Sequence, residues 1–250
     1  MGAYVLAPAP IKIERADQST TGPASNLTKD HPAKVWRSSS ATSASIDISG
    51  DSRVIDTIAL VGSNLAFSDV MFVRFADTLA GLDAAAPISV PGYTGNKSDR
   101  ISTKTIISFP AQSFRFIRVT VLSSSPKVFE AQRLVVGRAV RCSGLDYDAK
   151  FSVEDNSPAV AGVNYQEFRA YKRLPSWRAT ITVESDDAYY DEWMPFFTEV
   201  GTSLPLLFVP DDESPRQNSI IFGRITAKAE GTSEGVDYWS IILAVTAVSP

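Results

Sequence analysis

One histidine, one cysteine and three methionines in 250 residues leave little material for most catalytic or metal-binding plans. The single Cys142 permits no internal disulfide, so ordinary packing must hold the fold, as in a protein made in a reducing cytoplasm. A Cys–His pair would need Cys142 and His31 to meet across two units of the chain, and His31 is the only base available to a Ser–His–Asp arrangement. No nucleophile elbow, zinc or calcium site is expected, and no phosphate-binding or dinucleotide-binding glycine loop. No cofactor is therefore expected. Apolar runs fall well short of the roughly 18 residues a membrane-spanning helix needs. The start, MGAYVLAPAPIKIERADQ, lacks a basic segment ahead of an apolar one, so a signal peptide is not expected. Neither half holds a dense Lys/Arg run, which argues against a nucleic-acid partner.

What is present is an ordinary globular composition, 44% hydrophobic and 21% charged, with an uneven charge distribution. Residues 1–140 carry 15 Lys+Arg and 11 Asp+Glu, a balance of +4, whereas residues 141–250 carry 9 and 17, a balance of -8. That shift points to two units with different surroundings. Asn26-Leu27-Thr28 and Asn96-Lys97-Ser98 match a glycosylation acceptor pattern that occurs often by chance.

The first half reads as short strands rich in Val, Ile and Phe, bounded by turn residues: 56–62, 70–76, 114–121 and 133–137. The Ser/Ala/Thr-rich stretch 38–45 and the Gly/Pro-bearing stretch 79–98 read as long loops. Residues 139–175 are less regular, with room for a strand or two beside a long loop. Trp177, Ala179, Ile181 and Val183 alternate with Arg178, Thr180 and Thr182 as in a half-buried strand. The best helix candidate starts at Ser185, a capping residue followed by Asp186 and Asp187, with Trp193, Phe196, Phe197 and Val200 at helical spacing and Gly201 as a stop. Pro195 lies inside it and predicts a kink or a later start. Strands follow at 204–209, 220–226 and 236–248.

Among candidate sites, the stretch ASNLTKDHPAKVWRS combines Asn26, Asp30, His31, Trp36 and Arg37. An indole face beside planar hydrogen-bonding groups is the chemistry of a saccharide platform, and Trp36, Arg37 and, in the long loop, Tyr93 are its candidate contacts, with Arg100 as a further one. The structural alternative is an entry turn with Trp36 as a buried anchor and His31 held extended by Pro32. Paired carboxylates are the remaining catalytic material: Asp146/Asp148, Asp186/Asp187 and Asp211/Asp212/Glu213. The middle pair is explained as a helix start and the last as a turn.

The order of features in SIDISGDSRVIDTIALVGSNL, FPAQSFRFIRVTV and EAQRLVVG resembles the discoidin-like, galactose-binding-like jelly roll over residues 24–138. ASNLTKDHPAKVWRS followed by IDTIALVGSNL looks like the version of that domain in tail proteins of long-tailed bacteriophages. In the second half, YQEFRAYKRLPSWRATITVESDDAYYDEWMPFFTEVGTSLPLLFVPDD, then IIFGRI and YWSIILAV, is similar to phage distal-tail or tail-tip proteins. The resemblance implies a mainly β chain: a jelly-roll β-sandwich over 1–138 and a sheet-rich, tail-tube-like domain over 139–250 with one helix near 186–200. It further implies a non-enzymatic virion protein, assembled in the host cytoplasm. Such a protein forms a ring of six or three copies that links the tail tube to the tail hub, baseplate or receptor-binding parts. Binding of host surface glycans by the jelly roll is the alternative function. No ligand set of the family maps onto these residues one by one.

Overall fold

The computed structural model describes residues 2–31, 33–92, 103–154, 159–161, 166–168, 174–211 and 219–248. The fold is mainly β: among the described residues three main sheets stack face to face, two further two-stranded ladders accompany them, and one helical segment lies on the far side of the third sheet.

Five antiparallel strands, Ile11–Ala16, Ala41–Gly50, Phe116–Lys127, Val70–Ala76 and Ile88–Pro91 in spatial order, form the outer sheet. Arg133–Gly137, Val54–Ser63 and Thr103–Ser113 form a middle sheet. Ile46, Ile48, Met71, Val73, Ile117 and Val119 from the first meet Ile58, Leu60, Leu134 and Val136 from the second in one buried core. This five-on-three antiparallel arrangement is the β-sandwich expected for the first half of the chain. The third sheet has eight strands. Its main path runs Ala139–Cys142, Ala3–Leu6, Leu206–Val209, Ile221–Ile225, Tyr238–Ala247, Leu174–Val183, Lys150–Glu154, and Glu230–Gly235 pairs with Tyr238–Ala247 as well.

The middle sheet is buried on both faces. Ile58 and Leu60 point into the sandwich, while Ala59, Val61 and Val135 point the other way and meet Leu6, Leu207, Val209 and Phe222 of the third sheet. Strands covered on both sides read as continuous apolar runs, and IALV, LVV and LLFV are those runs. At about 1.5–3 kcal/mol for each large apolar side chain buried, this seam joins the two units firmly. The opposite face of the third sheet, with Val5, Ile181, Phe208, Ile221, Ile241 and Leu243, is covered by Trp193, Phe196 and Val200 of the helical segment.

Four expectations need correction. The strand Ala3–Leu6 belongs to the third sheet and not to the sandwich: all four residues are buried, between Ala139–Cys142 and Leu206–Val209. Residues 41–45, read as loop, open the strand Ala41–Gly50. Its pairing with Phe116–Lys127 overrides a Ser/Ala/Thr composition of weak strand preference. The stretch from 79 holds a short helical turn, Ala80–Asp83, and the strand Ile88–Pro91. Residues 139–175 carry the strand segments Ala139–Cys142, Lys150–Glu154, Ala159–Ala161 and Gln166–Phe168.

The helical segment spans 186–200. Ser185 caps it by accepting the Ala188 N–H at 3.3 Å. Pro195 does not delay the start of the segment. The turn before it, Tyr189–Trp193, is widened to π geometry, which makes room for a proline ring that lacks an N–H and would press on the Asp191 carbonyl in a regular helix. Gly201 ends the segment at φ 52°, a left-handed conformation glycine adopts without strain, and its N–H reaches the Phe197 carbonyl at 2.9 Å.

Candidate functional site

The entry segment of the sandwich is a fixed structural turn. A short helical turn, Ala24–Thr28, leads through exposed His31 to the two-residue strand Trp36–Arg37, which pairs with Glu130–Ala131. Trp36 is 0% exposed and its indole N–H donates to the Asp17 carbonyl at 3.0 Å. A saccharide platform needs an open ring face, and Trp36 has none, so it is a buried anchor and not a sugar contact. Asn26 Nδ2 donates to the Val35 carbonyl at 2.9 Å, and the Asp30 carboxylate lies 3.0 Å from Nε of the nearly buried Arg133. His31 accepts the Ala33 N–H at Nδ1. These groups are spent on holding the loop. Arg37 remains half exposed, with Nε donating to Glu130 Oε1 at 2.7 Å. Tyr93 and Arg100 lie outside the described residues.

The carboxylate pairs disperse into structural roles. Asp146 and Asp148 accept the hydroxyls of Thr182 and Thr180, each at 3.1 Å. Asp186 starts the helix and accepts the Trp239 indole N–H at 2.6 Å. Asp212 and Glu213 lie outside the described residues. Gly231-Thr232-Ser233-Glu234-Gly235 carries the spacing of a nucleophile elbow, contrary to the expectation from sequence. An elbow requires a strand-to-helix turn, whereas this run is the exposed strand of a hairpin with the Ser233 hydroxyl donating to the Gly235 carbonyl. Cys142, beside the carbonyls of Ala3 and Gly144, sits far along the chain from His31. Among the described residues no cluster of three or more His, Cys, Asp or Glu is gathered for a metal, and no helix is long and apolar enough to cross a membrane. Burial pulls the Lys104 ammonium down to about 8, but the residue lies within the middle sheet opposite Val61.

A cleft of about 220 Å³ opens where sandwich and helical segment meet, lined by Pro8, Val54, Ile55, Pro195 and Phe196. Two ion pairs cross it, Arg138–Glu192 at 3.3 Å and Arg53–Glu199 at 3.6 Å. They tie the helix to the sandwich, and Asp191 also lines the cleft.

The distinctive surface is apolar and belongs to the third sheet. Of thirteen large apolar side chains exposed among the described residues, four lie in the sandwich and nine in the C-terminal unit. Phe151 and Val153, 46% and 51% exposed, stand on Lys150–Glu154, the last strand of the sheet path. Tyr190 and Met194, each 47% exposed, stand on the outward side of the helical segment, and Val236 and Tyr238 mark the hairpin end. Helical periodicity drew attention to Trp193, Phe196 and Val200, which are buried. Tyr190 and Met194, off that stripe, were the unread signal for an outward apolar face.

No protein-family model and no curated protein matches the chain. Solved structures with similar shape include chitosan-binding module 1 from a chitosanase/glucanase of Paenibacillus sp. IK-5 (14% identity, 52% of this chain and 95% of that one, TM-score 0.37). CBM32-3 from a family 31 glycoside hydrolase of Clostridium perfringens matches at 14% identity over 51% of this chain and 90% of that one, with TM-score 0.39. Reduced XRCC1, solved bound to the DNA pol beta catalytic domain, matches at 12% identity over 53% and 98%, with TM-score 0.42.

Proposed function

We propose that the protein is a structural, non-enzymatic component of a long-tailed bacteriophage tail tip. In this reading the C-terminal unit is a tail-tube-like ring element and the jelly roll stands at the periphery. The ring links the tail tube to the baseplate or receptor-binding parts of the virion. The observation that supports it is the concentration of exposed apolar side chains on the C-terminal unit, together with the end strand Lys150–Glu154 that carries two of them. Among the described residues Lys150–Glu154 pairs on one edge only, with Leu174–Val183. An unpaired strand edge with apolar side chains is a template for pairing with another chain, and head-to-tail contacts between copies close into rings when the rotation permits. The test is light scattering of the purified protein with electron micrographs of the same sample. Rings of six or three copies are expected. A chain that stays monomeric at high concentration and when mixed with tail-tube components overturns the proposal.

Glycan binding by the sandwich is the second reading. The observation on this chain that favours it is the half-exposed Arg37–Glu130 pair, a planar hydrogen-bonding group left accessible on the sandwich surface. A glycan array with wild type and Arg37→Ala tests it: binding that is lost in the variant supports it, and an empty array for both removes it.

A further inference from the structure

The solvent face of the outer sheet carries a row of charges in register. Arg15 pairs with Asp47, Asp47 with Arg118, and Arg118 with Arg74, across four neighbouring strands. Asp47 accepts from Arg15 Nε at 3.1 Å and from Arg118 Nε and Nη2 at 2.6 and 3.0 Å, and Asp83, on the turn above, accepts from Arg118 Nη1. Three guanidinium groups thus face two carboxylates, and the surplus charge sits on Arg74. Arg74 has no hydrogen bond or ion pair among the described residues and stands directly opposite Arg118. Like charges facing each other across a strand pair are destabilising unless an anion comes between them. Phe72 and the exposed Leu122 share this face one and two rungs away, so the row has an apolar flank.

The helical segment offers the complementary chemistry. Asp187 and Asp191 are exposed beside Tyr190 and Met194, and neither acid has a hydrogen bond or ion pair among the described residues beyond the helix start that Asp187 supports. Their neighbours are committed: Asp186 to Trp239, Glu192 to Arg138, Glu199 to Arg53. Four residues of helix separate the two carboxylates by about 6 Å along the axis, comparable with the ~5 Å between directly opposed residues of a strand pair.

We infer that Arg74 and Arg118 form a carboxylate-docking site whose occupant is the Asp187–Asp191 face of a second copy of this chain. Tyr190 and Met194 then lie on the apolar flank at Phe72 and Leu122. This rests on the ring-forming reading and names the two surfaces that meet. Each copy presents one basic and one acidic face, so the contact is head-to-tail, the type that closes into rings.

Sedimentation velocity on the full chain tests it. Arg74→Glu and Asp191→Arg are each expected to weaken self-association about tenfold or more, and Arg74→Gln less. The double variant, Arg74→Glu with Asp191→Arg, is expected to recover most of the loss, because the acid introduced at position 74 of one copy then faces the base introduced at position 191 of the next. Raising the salt from about 50 to about 500 mM weakens the wild-type contact in the same direction. Melting temperatures equal to wild type confirm that the variants are folded. Association that ignores the charge reversals, or a double variant no better than the singles, overturns the inference, and rings that still form in those variants leave the ring reading intact. A wild type that is monomeric under every condition overturns both.

Discussion

The sandwich and the C-terminal unit treat apolar surface in opposite ways. The sandwich is sealed: its two sheets enclose one core, Trp36 and Phe129 are fully buried, and its outer face is a lattice of Arg–Asp contacts. The C-terminal unit buries both faces where the middle sheet and the helix cover it, yet leaves Phe151, Val153, Tyr190, Met194 and Val236 in solvent. A chain that can seal one unit this well and leaves the other open carries most of the apolar share of its assembly surface on the open one. The charge balance of the two halves runs along the same division.

The largest effect is expected at the first strand, Ala3–Leu6. Removing residues 1–6 takes out a strand hydrogen-bonded on both edges and buried on both faces. The expected loss exceeds the ~5–15 kcal/mol that holds a typical domain, so the third sheet is expected to lose protection in hydrogen exchange while the sandwich strands keep theirs. Trp36→Ala, confined to the sandwich, is expected to cost about 3–5 kcal/mol in chemical denaturation through the cavity it leaves; a near-neutral result would mean that the indole does not anchor the entry turn.

Asp69 separates the units by pH. Burial alone would raise its pKa, but the Ala66 N–H and the Lys127 ammonium outweigh that and hold it below its usual 3.8. A carboxylate with a depressed folded pKa adds stability that is fully present above the unfolded value and is lost as pH falls through the folded one. Asp69→Asn is therefore expected to cost about 1–3 kcal/mol at neutral pH, and the gap to wild type should close in acid, as read from urea midpoints at several pH values. The smallest effect on stability is expected at Lys150–Glu154, the end strand of the sheet path. Phe151→Lys should shift the melting temperature of the monomer hardly at all, by the equivalent of about 0.5 kcal/mol or less, while suppressing assembly in light scattering. A large loss of stability there would mean that Phe151 belongs to the core and is not part of an assembly surface.

Much of this was legible because the governing interactions are local. The strand Val70–Ala76, the continuous apolar runs of the middle and third sheets, the Ser185 cap and the Gly201 stop follow from periodicity and backbone preference. Ala41–Gly50 was not, since its small polar residues become a strand only when Phe116–Lys127 lies alongside. The candidate site fared worse. Trp36 beside Arg37 has the composition of a platform, and composition does not say whether an indole face is open. That depends on Asp17, Phe129 and Ala131 arriving from distant parts of the chain.

By itself the sequence determined the strands with apolar runs or clean alternation, such as Val70–Ala76 and Trp177–Val183, the helix cap and stop, the division of charge and the shortage of catalytic side chains. These depend on residues within a few positions of one another. Only the tertiary structure decided that Ala3–Leu6 joins the C-terminal sheet, that Trp36 is sealed, that Arg74 faces Arg118 and that Tyr190 and Met194 look outward. Each of those depends on which surfaces meet across long separations in the chain, where burial on one face leaves another exposed.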